Sequence, residues 1–90
     1  MLEIRNVVIG DLEAITAVFV ACFNAPPWND GWSFAAARER LEAISAARHF
    51  RGALAATDGV IIGLLLGQKE RWGDAFHFNL QEMCVLPERQ

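Results

Sequence analysis

The stretch Ala75-Phe76-His77-Phe78-Asn79-Leu80-Gln81-Glu82-Met83-Cys84-Val85-Leu86 changes phase part-way along. Phe76, Phe78 and Leu80 alternate with other residues, the pattern of a strand with one apolar face. Strict alternation would then put Glu82 on that face, and Met83 and Val85 opposite. One extra residue near Gln81–Glu82 returns Met83 and Val85 to the face of Leu80. A β-bulge supplies one extra residue, and bulges often lie beside sites because they leave main-chain groups unpaired and re-aim side chains. The alternative is a strand buried on both faces, which needs no bulge.

Upstream, Asp58-Gly59 between two apolar runs predicts a hairpin joining strands Phe50–Thr57 and Val60–Glu70. Arg71-Trp72-Gly73-Asp74 predicts a second turn, into a strand from Ala75 to about Leu86. Two amphipathic helices come earlier. Leu12, Ile15, Phe19, Cys22 and Phe23 recur at helical spacing, which predicts a helix over Asp11–Phe23 with Asp11 as N-cap. Asn24-Ala25-Pro26-Pro27 ends it, because a residue before proline is pushed out of helical geometry. Ser33 caps the second helix, with Phe34, Ala37, Leu41 and Ile44 as its apolar stripe; Arg38, Glu39, Arg40 and Glu42 are expected to face water. Leu2 and Ile4 alternate with Glu3 and Arg5, an opening strand. The order is β-α-α-β-β-β, an α+β fold with a mainly antiparallel sheet and two helices, in one domain over residues 1–90.

The chain has 90 residues, 53% hydrophobic and 21% charged, a composition that packs a core and excludes disorder. A net charge of -3 argues against nucleic acid or an anionic membrane as the main partner, since both need a basic face. No apolar run approaches the ~20 residues of a membrane span, and the N-terminus lacks the pattern of a signal peptide. Cys22 and Cys84 are too few for a disulfide scaffold. In their apolar settings they read as reduced core thiols of a cytoplasmic protein. Neither they nor His49 and His77 have metal-ligand spacing, so no metal site is expected.

The element order, together with the ending Glu82-Met83-Cys84-Val85-Leu86-Pro87-Glu88-Arg89-Gln90, resembles the N-terminal half of the GNAT superfamily of acyl-CoA-dependent N-acyltransferases. Val85, Pro87 and Gln90 match the V-x-P-x-x-(Q/R) pattern of that family. The loop Phe23-Asn24-Ala25-Pro26-Pro27-Trp28, with Trp32 following, is similar to the loop between the first two helices in a bacterial subgroup. The resemblance implies acetyl transfer from acetyl-CoA to a small primary amine. It implies that Met83, Cys84 and Val85 meet the donor through main-chain atoms, their side chains lying in the core, and that Gln90 belongs to the same cofactor-binding end. Charge developing on the thioester oxygen would be met by a backbone N–H freed at the bulge, and the pantetheine arm would pair with the strand like another strand.

The attacking amine must lose a proton, and Glu82 is the carboxylate best placed to take it. The plainer reading of Glu82 is a hydrogen-bonded or exposed bulge residue. Trp28, Asp30 and Trp32 suit a wall for a cationic amine; the competing reading is that the tryptophans anchor their loop to the core. His77 shares a strand face with Asn79 as a base, a substrate contact or a surface residue, and Glu70 and Asp74 are expected to be solvated.

In the family a glycine loop opening a helix holds the pyrophosphate immediately after this point, because unpaired N–H groups and the helix dipole face the phosphates. The family's usual tyrosine acid also comes later, and this chain has no Tyr. The resemblance therefore implies that these 90 residues alone neither bind acetyl-CoA tightly nor turn over. It also implies an apolar edge on the last strand, which a second copy or a chain carrying the second half would cover. The rival readings are a non-catalytic dimerising or interaction module built on the same half-fold, and an unrelated small α+β domain whose ending matches by chance.

Overall fold

The computed structural model describes residues 1–90. Strand β1 (Leu2–Asn6) is followed by helices α1 (Leu12–Phe23) and α2 (Phe34–Ser45) and by strands β2 (Phe50–Thr57), β3 (Val60–Trp72) and β4 (Ala75–Val85). The strands form one antiparallel sheet in the order β1-β2-β3-β4. Each predicted element is present, but β3 runs through Arg71 and Trp72, which were expected in the turn, so that only Gly73 and Asp74 form it. Local chemistry explains the turns: Asp58 and Gly59 take φ of 51° and 81°, and Gly73 takes 62°, as tight two-residue hairpins require. Ser33 caps α2 as expected, its hydroxyl accepting from the Ala36 N–H at 3.1 Å.

Asp11 behaves differently from a simple N-cap. A short 3-10 turn, Ile9–Asp11, precedes α1, and the Asp11 side chain makes no cap hydrogen bond to α1 itself. Instead the Arg5 guanidinium donates to both carboxylate oxygens, at 2.9 and 2.8 Å, and the Val8 N–H donates at 2.8 Å. This fork ties β1 to the start of α1. The hydrogen bonds from Arg5 hold the Asp11 carboxyl below its ordinary pKa, with Val8 assisting, while burial pushes the other way. A carboxyl depressed in the folded state stabilises it above the unfolded pKa, and that contribution fades as pH falls through the lower, folded value. Asp11→Asn should therefore flatten the acid limb of the stability curve below about pH 4. Urea unfolding across that range checks this; an unchanged acid limb contradicts it.

Both helices pack on one face of the sheet. Ile15, Phe19 and Cys22 of α1, Ala37, Leu41 and Ile44 of α2, and Leu54, Leu64 and Leu66 of the sheet lie in a single buried cluster. Phe34 departs from its expected place: it opens α2 and stays 43% exposed.

The phase change in β4 is a bulge. Leu66 pairs with Glu82 and Gly67 with Leu80, which leaves Gln81 without a partner on β3. Gly63, Leu65 and Gly67 oppose Val85, Met83 and Leu80, so Met83 and Val85 return to the face of Leu80 as predicted. That face is not core, however. The helices cover the other side, and Met83 and Val85 stay 61% and 39% exposed. Of the three residues expected to be core, only Cys84 turns inward, opposite buried Leu64. Leu2, Ile4, Phe76, Phe78 and Leu80 are also exposed, on the same helix-free face by register.

Candidate functional site

Strand β4 pairs only with β3, so its second edge is open. Beyond the bulge, the Leu86 N–H donates to the Ile62 carbonyl at 2.8 Å. Alternate residues of an antiparallel ladder exchange bonds with the neighbouring strand. Glu82 and Cys84 therefore direct their main-chain groups toward β3, and Met83 and Val85 direct theirs to the open edge. The Gln90 amide donates to the Val85 carbonyl at 3.0 Å, which leaves the Val85 N–H and both Met83 main-chain groups as the outward-facing set. Gln90 thus belongs to this end of β4, as a brace on its main chain.

The bulge has a second consequence. It delivers two consecutive side chains, Gln81 and Glu82, to the helix-covered face. Gln81 lines an open groove with Trp32, Glu39, Arg40 and Gln68. Glu82 joins this groove through Arg40, whose Nε and a terminal nitrogen donate to Oε2 at 2.6 and 2.5 Å. The Glu82 side chain is only 13% exposed, while its other oxygen makes no bond within the chain. Arg40 faces water as expected, its side chain 44% exposed, and it also reaches across to β4. Arg38 also pairs, with Glu13 and with Glu42. Glu39 alone of this charged run has no ion-pair partner, and it lines the groove.

The loop residues divide. Asn24 clamps Trp32 in both directions, its amide nitrogen donating to the Trp32 carbonyl at 2.9 Å and its oxygen accepting the Trp32 N–H at 2.7 Å. The Trp32 ring meets Phe19 edge-on, centroids 5.3 Å apart. Trp32 is therefore both a core anchor and a wall of the groove. Trp28 rests on Phe23 at 6.1 Å and stays 60% exposed. Neither Trp28 nor Asp30 lines the groove. His77 stacks on Trp72, centroids 5.6 Å apart, and Asn79 donates to the exposed Glu70 carboxylate.

Cys22 and Cys84 are free thiols. Burial pushes both thiols up from their ordinary pKa, Cys84 further than Cys22. A thiol held that way carries little thiolate at neutral pH, and the Cys84 main chain is taken up by β3, so the main-chain contact expected at Cys84 is left to Met83 and Val85. No group of three or more His, Cys, Asp or Glu residues is arranged to hold a metal. No helix is long and apolar enough to cross a membrane.

Neither a family model nor a curated protein matches this sequence. Solved structures do. A GNAT family acetyltransferase from Staphylococcus aureus superposes with a TM-score of 0.75 at 16% identity, over 97% of this chain and 64% of its own. A ribosomal-protein-alanine N-acetyltransferase from Brucella melitensis gives 0.74 at 11% identity, over 100% and 60%. AAC(6')-Iy, in complex with a CoA bisubstrate analog, gives 0.68 at 22% identity, over 98% and 59%. This chain thus spans about 60% of the length of these proteins. Its two helices and four-stranded antiparallel sheet have the fold of the N-terminal part of the GNAT acetyltransferases.

Proposed function

We propose that the chain is the donor-binding and acceptor-facing part of an N-acetyltransferase that moves acetyl from acetyl-CoA to a small primary amine. One observation carries this reading: β4 breaks its ladder at Gln81 and presents unpaired main chain at Met83 and Val85 on an open edge. The amides of a pantetheine arm pair with such an edge as a strand would. The break supplies polar main chain where charge develops on the thioester oxygen. The acceptor approaches from the groove of Trp32, Glu39 and Gln81. Its nitrogen bonds to the acetyl carbon, the carbon–sulfur bond breaks, and the electron pair leaves with sulfur. The amine proton passes to the free oxygen of Glu82, which Arg40 positions. AAC(6')-Iy, solved with CoA and with a CoA bisubstrate analog, supports acetyl-CoA as donor.

S-acetylpantetheine tests this reading, because it carries the thioester and the amide arm without phosphates. Present at about tenfold over its Kd, it should raise Tm by several degrees in a domain this small. No shift at any soluble concentration contradicts the proposal.

The open β4 edge favours a second copy as partner. Its exposed side chains Phe76, Phe78 and Leu80 carry no charge to deter edge pairing. Sedimentation should show dimers at micromolar concentration, lost on Phe78→Lys. A parent chain that stays monomeric across that range contradicts this.

A further inference from the structure

The distribution of positive charge marks a second site. Of the eight Lys and Arg residues, Arg5, Arg38 and Arg40 are held by carboxylates. Three of the remaining five, Arg51, Lys69 and Arg71, line one recess together with His49 and Phe76. The recess has a volume of about 510 Å³ and sits where β3 runs on past the start of β2. The register places Arg51, Lys69 and Arg71 on the helix-free face, with Gly67, Phe78 and Phe76 as their respective partners.

The Phe76 ring gathers two of the three cations, Lys69 and Arg71. Lys69 Nζ lies 4.0 Å from the centroid of the Phe76 ring, and the Arg71 guanidinium lies 5.4 Å from it. The Lys69 N–H donates to the His49 carbonyl at 2.8 Å, fixing the imidazole-bearing residue beside them. Arg51 donates to the Phe50 carbonyl at 2.8 Å, which leaves most of its N–H groups free. Glu70 is the one acid lining the recess, and its carboxylate is engaged by Asn79. The three cations of the recess repel each other, none of them is held in an ion pair, and the single negative charge of Glu70 offsets only part of that repulsion.

We propose that this recess binds a small ligand bearing clustered phosphates, such as a di- or triphosphate group. Guanidinium forks and an ammonium match phosphate oxygens with charge-assisted hydrogen bonds. The recess admits only a few phosphate groups. The chain is otherwise net negative, so a long polyanion would run from the recess onto surface of its own sign. This site lies at the hairpin end of β4, away from Met83 and Val85, and it stands independently of acetyl transfer.

Calorimetric titration of the whole chain with inorganic triphosphate at low ionic strength tests it. One-to-one saturable binding is expected, weakened at least about tenfold by the double variant Arg51→Ser, Lys69→Ser. The double variant Arg48→Ser, Arg89→Ser removes the same charge outside the recess and should leave affinity unchanged. All four positions are solvent-accessible, and circular dichroism confirms that each variant is folded. Absence of saturable binding overturns the proposal. So does equal weakening by both double variants, which would mean net charge alone acts. A single-stranded oligonucleotide that binds more tightly than triphosphate would also overturn it, in favour of a nucleic-acid surface.

Discussion

Gly67→Ala should lower stability by about 3 kcal/mol or more, a large fraction of what a domain of this size has. The reason is backbone, not side chain. A Cβ at position 67 would collide with the Asn79 carbonyl oxygen, and the Phe78 ring already lies 2.6 Å from where that carbon would sit. A ring can swing away; a carbonyl in the β3–β4 ladder cannot move without disturbing the register next to the bulge. Gly63 is the control on the same strand. Its added Cβ would stand 3.1 Å from the Cys84 carbonyl oxygen, a tight contact that a shift of a few tenths of an ångström relieves. Urea unfolding should thus separate the two alanine variants clearly. A Gly67→Ala protein as stable as Gly63→Ala would mean that β4 does not hold its bulged register.

Val85→Pro is expected to abolish S-acetylpantetheine binding while leaving the fold intact. Proline removes the N–H of one residue, and at Val85 that N–H points to the open edge. Edge positions of this kind tolerate proline, whereas a position bonded to the neighbouring strand does not. Val85→Ala keeps the N–H and trims a side chain on the open face, so it should bind as the parent does. Cys84→Pro would instead delete a bond to β3 and destabilise the sheet. Loss of binding in Val85→Pro but not in Val85→Ala assigns recognition to main chain. Equal binding by all three proteins would remove the basis for the donor site.

Much of the fold was legible because the deciding residues act locally. Asp58-Gly59 takes positive φ, Ser33 caps the helix that follows it, and the phase slip at Gln81 shows in the spacing of apolar residues alone. What escaped the sequence depends on which face the helices cover. Met83 and Val85 share a face with Leu80 either way, but periodicity cannot tell a covered face from an open one. The same applies to the site. Arg40 and Glu82 are 42 positions apart, and as a helix-surface arginine Arg40 looked like any solvated charge. Once Arg40 is turned to β4 and Arg38 to Glu13, Glu39 is left as the free acid of the groove. The Asn24 clamp on Trp32 was likewise hidden, since an Asn ahead of two prolines reads first as a helix stop. Asp11 was rightly placed at a helix start, yet its partner Arg5 lies in the preceding strand.

Donor binding here depends on main chain at the kink of β4 receiving an acyl-thioester arm. Amide resonances of the isotope-labelled chain, followed while S-acetylpantetheine is added, test that directly. Saturable shifts of the Met83 and Val85 N–H signals are expected, with smaller changes at Gln81 and Glu82 and none at β1. Shifts confined to the helices or to the basic recess, with Met83 and Val85 unmoved at saturation, would contradict it.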